Sequence, residues 1–196
     1  MSDSKMKTKI ILASGSPRRR ALLRDMGLDF EAFSPNADES RLPDESPEKM
    51  CERLARIKAN AVAISYTESN TLVIAADTIV VIDGQVLGKP ANRDEARDML
   101  RLLQGRAHEV ITGVALSYNG EILSDIERTT VYFRPLSESE IDEYVESGEC
   151  DDKAGAYAIQ GKGALLVPRI EGDYFNVVGL PLCRLGYMMK EILGDE

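Results

Sequence analysis

The sequence has few of the residues on which several common functional sites depend. His108 is the single histidine, so a histidine-rich metal site is excluded, as is any Ser-His-Asp triad that does not use this one imidazole. Its position beside a strand start favours a passive role. The three cysteines, Cys51, Cys150 and Cys183, are far apart and show no C-x-x-C spacing. This pattern argues against a disulfide framework or a zinc site and favours passive thiols in the reducing cytoplasm.

Long hydrophobic runs and an excess of positive charge are also missing. The apolar stretch at 10–13 is too short for a signal-peptide core or a membrane span. The net charge of −9 disfavours nucleic acid polymers, because their phosphate backbones would repel the protein. We therefore expect neither a membrane nor a nucleic acid polymer as partner. A phosphate-bearing ligand would need a local basic cluster.

Strand-like apolar runs alternate with helix-like segments along the 196 residues, which is typical of an α/β protein. We predict helices over 17–26, 46–65, 92–104, 137–147 and 181–193. We predict strands over 9–13, 29–34, 72–76, 79–82, 110–118, 121–133, 164–170 and 174–178. Hairpin turns at 83–84 and 119–120 imply a mixed sheet. The second helix is expected to carry one apolar face, formed by Met50, Leu54, Ile57, Ala61 and Ile64.

The segment 13–20 joins the first strand to the first helix and has the composition of a phosphate site. A helix start presents unpaired backbone N–H groups and a positive dipole end, to which Ser14 and Ser16 add hydroxyl donors. Arg18 and Arg19 supply positive charge and forked donors. The alternative is a capped helix with a solvated basic face. The segment is not a Walker P-loop, since G-x-x-x-x-G-K-[ST] is absent.

Asp77 interrupts the apolar run 74–81. A carboxylate in such a run is either buried at a cost or placed at a strand end that faces a site. Asp77 could hold a metal ion or take a proton from an attacking water. The alternative is an aspartate that serves a turn.

Weaker signals lie elsewhere. Lys89, in Gly-Lys-Pro at 88–90, could reach a phosphate as a point charge, although a plain surface lysine is the alternative. The same holds for Lys58, which follows a helical run, and for Glu39 in an acidic loop. The glycine-rich segment 150–163 contains Gln160, whose amide could read a base edge, although a structural loop is the alternative.

Six short motifs occur in an order that resembles the Maf family of nucleoside triphosphate pyrophosphatases. They are Ala-Ser-Gly-Ser-Pro-Arg-Arg (13–19), Ala-Asp-Thr (76–78), Gly-Lys-Pro (88–90), Asp-Lys-Ala-Gly-Ala-Tyr (152–157), Ile-Gln-Gly (159–161) and Val-Gly-Leu-Pro (178–181). The similarity runs from Ile11 to about Leu182. Each motif alone is unspecific, and the ordered set is highly specific.

The resemblance implies a fold like that of inosine triphosphate pyrophosphatases: an elongated α/β structure with a mixed sheet flanked by helices and two lobes around a cleft. We expect a flexible leader over 1–8 and a single Maf-like catalytic domain over 9–196. The resemblance also implies a divalent metal, Mg or Mn. Our hypothesis is that the carboxylates of Glu39 and Asp77 hold this ion. Asp77 matches the family's general base. Further polar residues match those lining the family's cleft: Ser14, Arg18, Arg19, Glu39, Lys58 and Lys89.

Arg18, Thr78 and Gln160 resemble the branch of the family associated with dTTP and UTP rather than the branch associated with 7-methyl-GTP. The expected activity is hydrolysis of dTTP and UTP to the monophosphate and pyrophosphate. The sequence leaves open whether the substrate is a modified pyrimidine triphosphate or a purine nucleotide. It also leaves open whether the chain forms a homodimer. The alternative from another class is a nucleotide-binding regulator of cell division, a septum formation inhibitor with little turnover.

Overall fold

The computed structural model describes residues 8–66 and 70–194. The helices are α1 (Pro17–Asp25), α2 (Pro47–Ala63), α3 (Arg93–Leu103), α4 (Glu138–Glu146), α5 (Tyr174–Val178) and α6 (Leu182–Leu193). The strands are β1 (Lys9–Ala13), β2 (Glu31–Phe33), β3 (Thr71–Ile82), β4 (Gln85–Leu87), β5 (Ala107–Tyr118), β6 (Glu121–Tyr132) and β7 (Arg169–Glu171). All but the last residue of the expected flexible leader, 1–8, lie outside the described residues.

The strands form one mixed sheet in the order β2-β1-β3-β5-β6-β7, with β4 paired to β3. Strand β1 runs parallel to β2 and β3, with Ile11 opposite Glu31 on one side and Val73 on the other. The β3–β4 and β6–β7 pairs are antiparallel. The predicted mixed α/β fold is therefore confirmed, as is the hairpin turn at 83–84.

The chain divides into two compact units. Of the described residues, the first comprises 8–66, 70–77, 113–126 and 182–194, and the second comprises 78–112 and 127–181. The first unit contains a core of small and branched side chains: Ile11, Ala13, Ala55, Ala59, Val62, Val73, Ala75 and Ala115. In the second unit, α3, α4 and several strands enclose a larger core that includes Leu100, Leu103, Phe133, Ile141 and Tyr157. Each unit thus has its own buried apolar centre.

The predicted apolar face of α2 is wrong. The buried residues are Cys51, Leu54, Ala55, Lys58, Ala59 and Val62, whereas Ile64 lies past the helix end and is 79% exposed. The two stripes share only Leu54 and are offset by about one position. Ala55 and Ala59 decide the buried face because small side chains let the helix approach β1 and β3 closely, a preference that hydrophobicity alone does not register.

The predicted strands at 164–170 and 174–178 are wrong for most of their length. A 3-10 turn occupies Gly161–Leu166, β7 retains only three residues, and 174–178 forms helix α5. Asp173 caps this helix because its Oδ1 accepts hydrogen bonds from the N–H groups of Phe175 at 2.6 Å and Asn176 at 3.3 Å. The cap outweighs the β preference of the Tyr-Phe and Val-Val pairs.

Candidate active site

A buried ion pair lies in the first unit. Lys58 Nζ lies 2.6 Å from Asp77 Oδ1 and 3.1 Å from Glu39 Oε1. The side chains of Lys58 and Asp77 are each 11% exposed, whereas that of Glu39 is 55% exposed. The structure therefore brings together three residues singled out in the sequence, with the ammonium group between two carboxylates.

Of the alternatives that the sequence left open for Asp77, the structure shows the buried one. The two predicted strands at 72–76 and 79–82 are one continuous strand, β3, and Asp77 lies within it rather than at an end or in a turn. A buried carboxylate destabilises a fold unless it is paired and hydrogen-bonded. Lys58 supplies that pairing from α2, where it belongs to the buried stripe of the helix.

The start of α1 forms the second cluster of the first unit. Ser16 caps the helix, and its side chain accepts a hydrogen bond from the Arg19 N–H. Ser14 is buried, and its Oγ accepts from the Ser16 N–H at 3.1 Å and from Arg19 Nη1 at 3.3 Å. Helix α1 therefore begins with hydroxyl groups and a guanidinium gathered at its positive dipole end.

Electrostatics links this cluster to the ion pair. Burial lowers the pKa of Arg19, and the negative charge of Asp77 opposes that shift, as does, more weakly, the charge of Glu39. The neighbouring charge of Arg18 lowers the pKa of Arg19 further. Arg19 thus lies within electrostatic reach of both candidate metal ligands.

Cys51 contributes a contact that sequence reasoning missed. Its buried thiol donates to the Asp77 carbonyl oxygen at 3.1 Å, and its sulfur accepts the Gly113 N–H at 3.0 Å. Burial, reinforced by the charge of Asp77, raises the pKa of this thiol to about 12, so it is protonated and unreactive. The thiol is chemically passive, as predicted. It nevertheless attaches α2 to the main chain of Asp77, the residue whose carboxylate pairs with Lys58.

Gly113 is glycine because α2 lies against it. A Cβ at this position would stand 2.5 Å from the carbonyl oxygen of Cys51, which is backbone and cannot move aside. No sequence motif marks this position, since the two residues that meet there are 62 positions apart.

Thr78 begins the second unit and belongs to a hydrogen-bonded network of buried polar groups. Its Oγ1 lies 2.9 Å from the Thr112 Oγ1, and Thr112 donates to the Asn176 carbonyl oxygen at 3.1 Å. Asn176 in turn donates to the Val110 carbonyl oxygen at 3.0 Å and to Thr129 Oγ1 at 2.9 Å. The candidate specificity residue Thr78 is therefore connected through Thr112 to α5, a segment for which the sequence predicts a strand.

Lys89 and Gln160 occupy exposed positions in the second unit. The loop that carries Lys89 is held by the glycine-rich segment, because the Gly155 N–H donates to the Gly88 carbonyl oxygen at 3.0 Å. Gly155 has a φ of +66° and packs against Val80, where a Cβ would come within 3.0 Å of that side chain. The motifs at 88–90 and 152–157 are thus neighbours in space.

His108 occupies the core of the second unit. Its Nε2 lies 2.7 Å from the Tyr157 hydroxyl, and its ring packs edge-on against Phe133 and Tyr157. Burial lowers the pKa of His108 to about 4 and raises that of Tyr157 above its usual range. Both groups are therefore neutral at pH 7, in agreement with the passive role expected for this histidine.

Over residues 8–66 and 70–194, no group of three or more histidine, cysteine, aspartate or glutamate side chains could hold a metal ion. The Glu39–Asp77 pair nevertheless fits a hard divalent cation that also uses substrate oxygens. Mg²⁺ is typically bound by one or two carboxylates together with phosphate oxygens and water. Both carboxylates already face one cationic group, the Lys58 ammonium.

Among the described residues, no helix is both long and apolar enough to cross a bilayer.

A mixed α/β fold, a basic helix start and a buried carboxylate–lysine pair define a protein suited to binding phosphate groups. The family model described as Maf-like protein matches residues 9–192. The chain therefore belongs to the Maf family, and the resemblance drawn from its motifs is confirmed.

Named relatives match the chain over nearly its whole length. It is 52% identical over 183 residues to the dTTP/UTP pyrophosphatase of Symbiobacterium thermophilum, covering 93% of each chain. It is 50% identical to that of Dictyoglomus thermophilum, covering 95% of this chain and 97% of the relative. Among solved structures it matches the Ham1 protein of Staphylococcus aureus with a TM-score of 0.48 and 15% identity, covering 79% of this chain and 77% of that one.

Proposed function

We propose that this chain is a nucleoside triphosphate pyrophosphatase that hydrolyses dTTP and UTP to the monophosphate and pyrophosphate. The observation that carries the proposal is the buried Asp77–Lys58 pair with Glu39 on the same ammonium group. The relatives that are 50% and 52% identical to this chain bear the name dTTP/UTP pyrophosphatase, which supports this substrate class.

The start of α1 is the proposed phosphate-binding element. The positive dipole end of the helix, the Ser14 hydroxyl and the guanidinium groups of Arg18 and Arg19 provide donors and positive charge. Lys58 and Lys89 would neutralise further negative charge of the triphosphate. This distribution compensates locally for a chain whose net charge is −9.

Glu39 and Asp77 are the proposed ligands of Mg²⁺ or Mn²⁺. A divalent cation bound there would supply positive charge for the phosphate oxygens as pyrophosphate departs. The residues of the chain fit such an ion because two carboxylates already converge on one positive group. The exposed side chain of Glu39 is the more accessible of the two.

Asp77 is the proposed general base. Its carboxylate orients a water molecule toward the α-phosphorus and accepts its proton while the new P–O bond forms. The bond between the α-phosphorus and the bridging oxygen breaks, and that oxygen leaves with pyrophosphate. Lys58 holds Asp77 in place through the 2.6 Å contact, and the charges of Arg19 and Lys58 stabilise the developing negative charge.

Thr78, Gln160 and Arg18 are the proposed determinants of pyrimidine specificity. The hydrogen bond between Thr78 and Thr112 gives the Thr78 hydroxyl a defined orientation, which selection between similar bases requires. Modified pyrimidine triphosphates belong to the same substrate class and should be included in the assay.

The proposal extends to organisation and location. Because the family match runs through both compact units, residues 9–196 are proposed to act as one catalytic domain. A cytoplasmic location agrees with three free cysteines. A homodimer is to be tested by light scattering.

The decisive experiment measures pyrophosphate release from a panel of nucleoside triphosphates, with Mg²⁺, with Mn²⁺ and without either ion. We expect metal-dependent turnover that is fastest with dTTP and UTP. Asp77→Asn should lower kcat by roughly 10²- to 10⁴-fold, the usual range for a lost general base. Asp83→Asn is the matched control, because Asp83 lies in the exposed turn after β3 and pairs with Arg106.

Two outcomes would contradict the proposal. Nucleotide binding without metal-dependent hydrolysis would favour the regulator of cell division instead. Near wild-type turnover in Asp77→Asn would remove Asp77 from the chemistry while leaving the substrate class standing.

A further inference from the structure

Glu39 lies in an exposed connection without helix or strand, residues 34–46, yet its carboxylate stands 3.1 Å from Lys58. The internal contacts of this connection are local. The Ser40 N–H donates to Asp38 Oδ1 at 2.9 Å, and the Leu42 N–H donates to Glu45 Oε2 at 3.4 Å. Such turns shape the connection, but they do not attach it to the rest of the first unit.

Arg53 provides that attachment from helix α2. Its Nε and Nη2 donate to the two carboxylate oxygens of Glu45 at 2.6 and 2.8 Å, and Nη2 also donates to the Ser40 carbonyl oxygen at 3.1 Å. The two-pronged contact fixes the plane of the guanidinium group, as a lysine ammonium could not. The Glu45 side chain is only 8% exposed, so the pair is largely shielded from water.

The pKa shifts of Glu45 and Arg53 both indicate that the two charged groups stabilise each other. The hydrogen bond from Arg53 lowers the pKa of Glu45, and the hydrogen bond to Glu45 raises the pKa of Arg53. The pair therefore stays ionised at every pH at which the protein is expected to work. This guanidinium is engaged within the first unit and serves a different purpose from Arg18 and Arg19.

The position of the contact gives it a functional meaning. Ser40 is the residue next to Glu39, and Arg53 lies on the same helix as Lys58. Helix α2 thus holds this short stretch twice, once through the Ser40 main chain and once through the Glu39 carboxylate. Without the hydrogen bond from Arg53 to the Ser40 main chain, only the ion pair with Lys58 would hold Glu39. The Glu39 side chain is more than half exposed to water, and exposed ion pairs are weak.

We propose that Arg53, oriented by Glu45, is a positioning residue that holds Glu39 beside Lys58 and thereby sets the affinity of the site for its divalent cation. The effect on the cation rests on the proposed function, since Glu39 is a metal ligand only within it. The ordering of the connection by Arg53 does not depend on that function and can be measured separately.

The first test measures how turnover of dTTP depends on Mg²⁺ concentration in Arg53→Lys, which keeps the charge and loses the fork. We expect the Mg²⁺ concentration at half-maximal rate to rise about tenfold, while kcat at saturating Mg²⁺ changes less than about threefold, because the ligand is displaced rather than removed. Arg56→Lys is the matched control, since Arg56 lies one turn further along α2 and donates to Ser124. It should leave both values unchanged.

A double-mutant cycle separates positioning from a general structural effect. In a Glu39→Gln background, Arg53→Lys should have no further effect on the Mg²⁺ requirement, because the ligand it positions is already lost. An equal rise in both backgrounds would overturn the proposal. So would a fall in kcat with an unchanged Mg²⁺ requirement.

The second test needs no activity. Hydrogen exchange of the peptide covering 36–45 should become faster in Arg53→Lys and stay unchanged in Arg56→Lys. Unchanged exchange in Arg53→Lys would overturn the positioning role even in an active enzyme. If the wild-type chain hydrolyses no triphosphate, the proposed function fails, and faster exchange would still support the ordering of the connection by Arg53.

Discussion

Replacing Lys58 by methionine should destabilise the protein far more than a surface substitution of the same kind. The change keeps most of the side-chain volume and removes the ammonium group that stands 2.6 Å from Asp77 and 3.1 Å from Glu39. Glu39 can turn to water because it is more than half exposed. Asp77, at 11% side-chain exposure, would be left as an uncompensated buried carboxylate.

The expected loss follows from that burial. Removing one partner of a buried ion pair typically costs about 3–5 kcal/mol of unfolding free energy. The nearby guanidinium of Arg19, which already interacts with Asp77, should hold the loss near the lower end of that range, at about 3 kcal/mol. In an Asp77→Asn background the same substitution should cost only about 1 kcal/mol, because a neutral amide tolerates burial better than a charge.

The assay is urea unfolding followed by circular dichroism and by tyrosine fluorescence, since the chain has no tryptophan. Coincidence of the two transitions checks that the two compact units unfold together. Lys49→Met is the matched control, because Lys49 is an exposed residue of the same helix and should change the unfolding free energy by no more than about 0.5 kcal/mol.

Two results would refute the reasoning. If Lys58→Met costs no more than Lys49→Met, the ion pair is not dehydrated and Asp77 does not depend on it. If Lys58→Met costs the same with aspartate or asparagine at position 77, the loss comes from packing and not from the buried charge. Repeating the measurement in 1 M NaCl should leave the loss nearly unchanged, because salt screens buried pairs weakly.

Three further predictions concern the residues around the site and the second core. Gly113→Ala should lower the melting temperature, since the new Cβ would stand 2.5 Å from the backbone of α2. Gly186→Ala should raise the melting temperature slightly, because Gly186 lies inside α6 and its new Cβ would meet no atom within 4 Å. His108→Phe should reduce the loss of stability on acidification. Because the pKa of His108 in the folded protein is lowered to about 4, the neutral imidazole stabilises the fold above about pH 6.5, and this stabilisation is lost between pH 6.5 and 4. The difference, roughly 3 kcal/mol of unfolding free energy, is measured by denaturation at both ends of this range. Thr112→Val should remove the hydrogen bond to Thr78 and alter the ratio of dTTP to CTP turnover more than the maximal rate, and an unchanged ratio would separate this network from base selection.

Much of the fold could be predicted because many of its signals are local. Ser46 and Ser137 cap α2 and α4 through contacts only three residues away, so each helix start is visible in a short stretch of sequence. The hairpin after β3 is likewise specified by Asp83 and Gly84, which both adopt positive φ. The family followed from motifs that are themselves short and ordered.

The two wrong predictions have different causes. Hydrophobicity alone predicts the wrong face of α2, because Cys51 and Lys58 are buried there by their hydrogen bonds to residues of β3 and β5, which are distant along the chain. The Tyr-Phe and Val-Val pairs predict a strand at 174–178, but the local cap by Asp173 and the buried hydrogen bonds of Asn176 favour helix α5.

The sequence by itself determined the family, the mixed α/β class and most of the residues that carry charge or hydroxyl groups at the site. Only the tertiary structure decided that Asp77 lies within a continuous strand, that Lys58 stands between it and Glu39, and that Arg53 holds the connection on which Glu39 lies. The physical reason is that motifs and helix caps act within a few residues. The pairing of a buried charge depends on backbone elements that meet only after folding.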